Sequence, residues 1–524
     1  MKFTGCCIIA SLVPTILTSQ ESERGSFAVV SGKDTVTVER FTRTPTELSG
    51  ELADRVRGGR IRYRATLGPQ GLITRLETTT IRTPTDTVGQ PATFTFGGDS
   101  MIAQIGNATP AHVPVTRSVL AIVNPSVAFM EQMLIRARAI GGGDTVAFPI
   151  FVLGAPQALP LTVTRIGRDS VRLDYAGISA RLAASDARVL GGAIPGQGIT
   201  LFRGGPLDSL QVAKRDYTAP ADAPYTAEEI VVKTPTGLRL TGTLTLPRAR
   251  PAGRVPAVVT ITGSGPEDRD EESPVIKGYR PFRQLADTLG RRGIAVLRLD
   301  DRGVNGSDMG PLTATSADFA EDIRAAVAYL RARSEIDGAR IGLVGHSEGG
   351  IIAPMVASTD PQLRGIVLMA ATASLGREIV AEQNRYSIDS VRHLQGAARD
   401  SAIALSTRGI DSAAMRQPWL KYFLEYDPLV VAREVKTPVL ILQGQTDSQV
   451  PASEAEKLAA ALRSAGNSSV TVRMFPETNH LFVADRNGSF VDTNGRLRYT
   501  SLPSLAVRRE VLGAIADWLD VHLR

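Results

Sequence analysis

The pentapeptide Gly345-His346-Ser347-Glu348-Gly349 is the first place in this 524-residue chain where residue types and spacing suggest covalent chemistry. The apolar run Ile341-Gly342-Leu343-Val344 precedes it, and the helix-like Gly350-Ile351-Ile352-Ala353-Pro354-Met355 follows. A hydroxyl on such a strand-to-helix turn stands clear of its neighbours. The flanking glycines let strand and helix approach each other. The helix N-terminus behind Ser347 adds partial positive charge where an oxyanion would develop. The chemistry this suggests is acyl transfer through a serine ester.

Such a serine needs a base. The chain has five histidines. His346 is in the turn itself and points away from the hydroxyl, His112 lies in a different half, His393 in a helical stretch, and His522 at the chain end. His480 is the candidate, because it sits in a loop after the apolar strand Val470–Phe475. The base in turn needs an orienting acid. Asp447 follows the buried-type strand Val439-Leu440-Ile441-Leu442, while Glu477 and Asp485 compete from within five residues of His480. For the oxyanion, one donor should be the Glu348 amide. The other should come from Thr262-Gly263-Ser264-Gly265-Pro266, with Ser264 first and Gly265 next.

These groups must be carried by a scaffold. From Tyr225 onward, continuous apolar runs (257–261, 295–299, 340–344, 365–369, 439–442) alternate with helical patterns at 281–292, 316–333 and 351–358. Apolar strands separated by helices indicate a buried parallel sheet with helices on both faces, doubly wound by right-handed crossovers. The stretch from Ser26 to about Arg215 instead alternates with period two, as in Thr35-Val36-Thr37-Val38-Glu39 and Ser170-Val171-Arg172-Leu173-Asp174-Tyr175. That pattern predicts an antiparallel sheet or barrel with one wet face. A helix or two are expected within Ser118–Ile140. We expect a signal segment over 1–20, a β-rich domain over 21–216, a linker over 217–225 and an α/β domain over 226–524. An insertion of largely helical pattern is expected over about 373–435.

Composition narrows the setting. The 43% hydrophobic and 21% charged content is that of a globular chain. The net charge of +6 comes from 59 basic and 53 acidic residues, and eight of the basic residues are lysine. The arginines are interspersed with acids, so no nucleic-acid tail is indicated. Lys2 followed by the apolar run Cys6–Leu17 predicts an export signal, hence a secreted or periplasmic protein with no membrane span after cleavage. Cys6 and Cys7 both lie in that segment, so the mature chain is expected to use neither disulfide, thiolate nor cysteine-zinc chemistry.

Taken together, these residues resemble the α/β-hydrolase superfamily, and more narrowly bacterial serine esterases and serine aminopeptidase-like hydrolases. The matching pieces are Gly263–Asp270, Asp301–Ser307, the Ser347 turn, Tyr426-Asp427-Pro428, Gln443–Asp447 with Gln449-Val450-Pro451, and Asn479-His480-Leu481-Phe482. The order Ser347, Asp447, His480 is that of this superfamily. The resemblance spans about residues 226–524. It implies hydrolysis of a small-molecule acyl ester through an acyl-serine, without metal or organic cofactor, with peptide and thioester bonds as alternatives; a non-catalytic binding protein dominated by the β-rich half is the more remote reading of the sequence. It also implies that the 373–435 insertion caps the pocket, where Gly265, Trp419, Tyr422 and Phe423 are candidate lining residues. The departure from the wider superfamily is Thr262-Gly263, where His-Gly is common. Asp268-Arg269-Asp270 and Asp300-Asp301-Arg302 are expected to pair and hold the loops around the site.

Overall fold

The computed structural model describes residues 22–523, except 32–33, 55–58, 82–88, 107–108, 154–157, 176–177, 196–197, 205–214, 250–252, 273–275, 277, 312, 416 and 492–497. The expected export segment, with Cys6 and Cys7, lies outside the described residues. No helix among them is long and apolar enough to cross a membrane.

The period-two half forms one sheet of fifteen strands, β1 (Glu23–Ser31) through β15 (Ile199–Arg203). Every pairing is antiparallel except the one joining β9 (Leu120–Ile122) to β10 (Thr145–Val152). One helix, α1 (Val127–Ile140), packs on the inner side of this sheet, and alternate residues such as Leu48, Leu52, Leu76, Leu161 and Leu173 form a core with it. The buried Glu39 carboxylate accepts from the amides of Val127 and Ala128, which anchors the start of α1 to β2 (Asp34–Arg43). The segment 118–140 therefore yields one helix and a short strand. A three-residue strand is too short to show a period.

The second sheet has eight strands: β16 (Tyr225–Lys233), β17 (Arg239–Pro247), β18 (Val255–Ile261), β19 (Ala295–Leu299), β20 (Ile336–His346), β21 (Gly365–Met369), β22 (Val439–Gly444) and β23 (Val470–Phe475). Their spatial order is 16-17-19-18-20-21-22-23. β16 and β17 pair antiparallel, as do β17 and β19, and every later pairing is parallel. Alternate side chains of the central strands go to opposite faces. Val258, Val296, Val367 and Leu440 pack with α2 (Pro281–Arg291) and α10 (Arg509–His522). Val259, Leu297, Ile366 and Ile441 pack with α3 (Ser316–Ala332), α4 (Gly349–Ala357) and α9 (Ser453–Ser464). Burial on both faces is why these strands read as unbroken apolar runs. Between β21 and β22 run α5 (Gly376–Tyr386), a π-helical turn over Ser387–Val391, α6 (Gly396–Ala414), α7 (Pro418–Glu425) and α8 (Pro428–Ala432).

Because β18, β20, β22 and β23 are parallel, the loops that leave their carboxyl ends gather along one edge of the sheet. Those loops begin at Thr262, Ser347, Gln445 and Pro476.

The Pro-rich stretch after Arg215 is packed. The Tyr217 hydroxyl donates to Asp268, and the Arg269 guanidinium lies over its ring at 4.2 Å. Arg215 pairs with Asp268 and Glu272. Arg269 also holds Asp300 and Glu229, and Arg298 pairs with Asp270. Asp268, Arg269 and Asp300 thus tie neighbouring loops to each other.

Candidate active site

Ser347 has φ +52°, the left-handed region that costs a serine on the order of 1–3 kcal/mol. The turn is held in that state by its surroundings. The Ser347 amide donates to Met369 O at 2.8 Å, which locks the tip to β21. A Cβ on Gly345 would stand 2.1 Å from Gly349 O, and one on Gly349 would stand 2.2 Å from Ile261 O. Both glycines of the motif are therefore required by close backbone approach.

His480 and Asp447 meet. His480 Nδ1 lies 2.8 Å from Asp447 Oδ2, with the two residues 5% and 7% exposed. The carboxylate accepts, so His480 Nδ1 is the donor of this bond and Nε2 is left facing away from Asp447. Asp447 is held from behind: Oδ1 accepts the amides of Gln449 and Val450 at 2.8 and 2.9 Å, and Oδ2 also accepts Gln443 Nε2 at 3.0 Å. The competing acids are engaged elsewhere. Asp485 accepts from Asn479 Nδ2, and Glu477 pairs with Arg486.

Ser347 and His480 line one cavity of about 550 Å³. The Ser347 hydroxyl makes no hydrogen bond to His480 among the described residues; catalytic bonds of this kind tighten in the substrate complex. Gly265, Trp419 and Phe423 line this cavity, as do Ile379 and Gln383 of α5. Tyr422 does not. It stacks on Tyr426 at 5.5 Å and packs toward the sheet, and Leu420 lines the cavity instead. On a helix Trp419, Leu420 and Phe423 share a side that Tyr422 flanks, so closeness in sequence did not mean a shared face.

The loop after β18 supplies amides. Gly263 N is taken by two carboxylates, Glu267 at 3.2 Å and Glu271 at 3.1 Å. The amides of Ser264 and Glu348 donate to no protein group among the described residues, and both residues line the cavity. The Glu348 side chain turns inward, 3% exposed, and accepts Ser316 Oγ at 2.5 Å and Trp419 Nε1 at 2.8 Å. Burial raises its pKa, an effect partly opposed by these bonds and one from Ser264.

Sequence reasoning missed a second buried constellation. His346 Nδ1 is 2.5 Å from Glu271 Oε1, and its Nε2 donates to the His480 carbonyl at 2.9 Å. Burial would lower the His346 pKa, but the Glu271 charge and these bonds outweigh it and raise it. Burial, then the neighbouring Glu271 and Asp301, lift Glu267 well above the ordinary carboxylate range. The signal that could have found this cluster is the acidic run Glu267-Asp268-Arg269-Asp270-Glu271-Glu272 directly after a buried strand. Tyr279 adds a bond from its hydroxyl to Leu481 O at 2.9 Å, which further fixes the His480 loop. Among the described residues no group of three or more His, Cys, Asp or Glu is arranged to hold a metal ion.

Residues 276–433 match the family model described as serine aminopeptidase, S33, and residues 399–500 match the prolyl oligopeptidase family. Esterase EstD of Thermotoga maritima is 30% identical over 303 residues, which is 56% of this chain and 70% of that protein. Dipeptidyl aminopeptidase BIII of Pseudoxanthomonas mexicana is 28% identical over 255 residues, and the match spans 34% of its length. Among solved structures, an esterase of Pyrococcus furiosus superposes with a TM-score of 0.41 at 16% identity, over 59% of this chain and 96% of that one. On the extent of the match to the Thermotoga enzyme, the chain belongs to the α/β-hydrolase superfamily, among its serine esterases and serine aminopeptidase-like hydrolases.

Proposed function

We propose that the chain hydrolyses carboxylic esters through an acyl-serine, with Ser347 as nucleophile, His480 as general base and acid, and Asp447 as the orienting carboxylate. One observation carries this reading: a serine held at φ +52° lines the same cavity as a histidine clamped at 2.8 Å by a buried aspartate. Ser347 Oγ attacks the carbonyl carbon while His480 Nε2 takes its proton. The carbonyl π electrons move onto oxygen, which the amides of Ser264 and Glu348 receive at the start of α4. Collapse expels the alkoxide, which takes the proton from His480. Water then repeats the sequence on the acyl-serine and frees the acid. In this reading α5–α8 cap the cavity, which places Ile379, Trp419 and Phe423 over the substrate.

A peptide-bond reading has one structural observation in its favour. Glu271 lines the cavity, and its buried Oε2 has no hydrogen-bond partner among the described residues; a carboxylate in that position would favour a substrate amine. The discriminating experiment compares p-nitrophenyl esters, aminoacyl amides and acyl thioesters, using wild type and Ser347→Ala. Ester turnover that disappears in Ser347→Ala supports the proposal. Preferential amide cleavage overturns it.

A further inference from the structure

A second cavity of about 380 Å³ lies against the first. The two share Gly263, Ser264, Gly265, Pro266, Glu348 and Trp419, so the common wall is the loop after β18, the residue after the serine, and the α7 indole. The remaining walls combine apolar side chains, Leu240 of β17, Leu299 of β19, Phe319 and Ile323 of α3 and Ile352 of α4, with Thr260, Thr262, Asp300, Asp301, Arg302 and Asp322. The charged groups among them already have protein partners. Arg302 holds Asp322 with bonds of 2.6 and 2.9 Å, Asp301 accepts from Thr262 Oγ1, and Asp300 accepts from Arg269. A ligand group in this chamber thus meets mainly hydrocarbon, beside polar groups that already hold protein partners.

The position of His480 decides which part of a substrate belongs there. His480 lines the larger cavity and is absent from the walls of the smaller one. The general acid must reach the leaving oxygen, so the alcohol stays on the His480 side. The acyl substituent is the part free to turn away, past the same Ser264 and Glu348 amides that would hold the oxyanion.

We propose that the 380 Å³ chamber is the acyl compartment, and that it takes an apolar, uncharged acyl group of medium length. The inference rests on the ester-hydrolase reading and adds its substrate class. Trp419 stands at the boundary, fixed at its indole N–H by Glu348, and separates the acyl side from the leaving-group side.

The test measures kcat/KM for p-nitrophenyl acetate, butyrate and octanoate per active site titrated with a fluorophosphonate. Wild type is compared with Ile323→Phe and Leu240→Phe, which narrow the chamber from two walls. In wild type kcat/KM rises from acetate to octanoate. In the narrowed variants the octanoate-to-acetate ratio falls about fourfold for each methylene excluded, or about sixtyfold for three. A wild-type profile that declines steadily from acetate overturns the inference, and that result stands even if neither variant folds. Ratios equal to wild type in titratable variants overturn it too, while leaving the ester-hydrolase reading intact. Failure of wild type to cleave any ester, with amides or thioesters cleaved instead, brings down both.

Discussion

Replacing Asp447 with asparagine puts the base-orienting role under direct strain, because four donors converge on one carboxylate. Oδ1 accepts two backbone amides, and Oδ2 accepts His480 and Gln443. An asparagine has a single acceptor oxygen. If that oxygen stays with His480, two backbone N–H groups lose a charged acceptor. At about 1.5–3 kcal/mol per bond to a charged group, that costs about 3–6 kcal/mol. If it stays with the backbone, the new NH2 faces His480 and Gln443. Gln443 can turn its own amide over at the loss of neutral bonds only, from Nε2 to the Val450 and Gly444 carbonyls, since its Oε1 has no partner among the described residues. The second arrangement therefore wins, and His480 must accept at Nδ1. Its proton then moves to Nε2, the nitrogen that has to receive the Ser347 proton. A wrong tautomer of this kind lowers kcat by about 10⁴, equivalent to about 5.5 kcal/mol of barrier. The assay is steady-state kcat on p-nitrophenyl acetate, with near-ultraviolet circular dichroism to confirm the fold. A loss below about tenfold in a folded Asp447→Asn protein refutes the reasoning. So does an equal or larger loss in Asp485→Asn, since Asp485 holds Asn479 and not the imidazole.

Three further outcomes are expected. Ser264→Ala keeps kcat within a few-fold because the donor is the amide, whereas Ser264→Pro loses about 10²–10³; equal losses would place the role in the hydroxyl. Gly349→Ala, whose Cβ would stand 2.2 Å from Ile261 O, destabilises by more than the ~1–3 kcal/mol of ordinary overpacking, and a melting temperature equal to wild type would contradict the elbow geometry. His346 is raised in the folded state, so its contribution is fully present below the unfolded histidine pKa and is lost as pH rises through the folded value. The stability gap between wild type and His346→Gln should accordingly be widest near pH 6 and shrink upward, and a gap independent of pH would show that His346 carries no such charge.

The two periodicities were legible because each answers to a different burial. Val258 and Val259 pack on opposite faces of a sheet covered by helices, so both are apolar, whereas Arg62–Thr66 alternates between exposed and buried residues on a sheet with one wet side. Thr35–Glu39 also alternates in sequence, yet Thr37 and Glu39 are buried, Glu39 against the start of α1. The Ser347 turn was legible because its glycines are forced by contacts within a few residues, Gly345 against Gly349. What escaped is set by contacts through space. Glu271 meets His346 across 75 positions, and His346 meets the His480 carbonyl across 134. No local pattern encodes either pairing. Tyr217 lies in a stretch rich in Pro and Ala that reads as a linker, yet its ring is packed beneath a guanidinium contributed by another loop. Tyr422 was grouped with Trp419 and Phe423 by proximity, and helical rotation divides them.

Labelling by a fluorophosphonate, mapped by mass spectrometry, addresses the nucleophile without assuming any substrate. One phosphonyl group per chain, located on the peptide carrying Ser347 and missing from Ser347→Ala, is the expected result. A folded protein that takes up no label, or takes it equally in Ser347→Ala, contradicts a serine nucleophile at this turn.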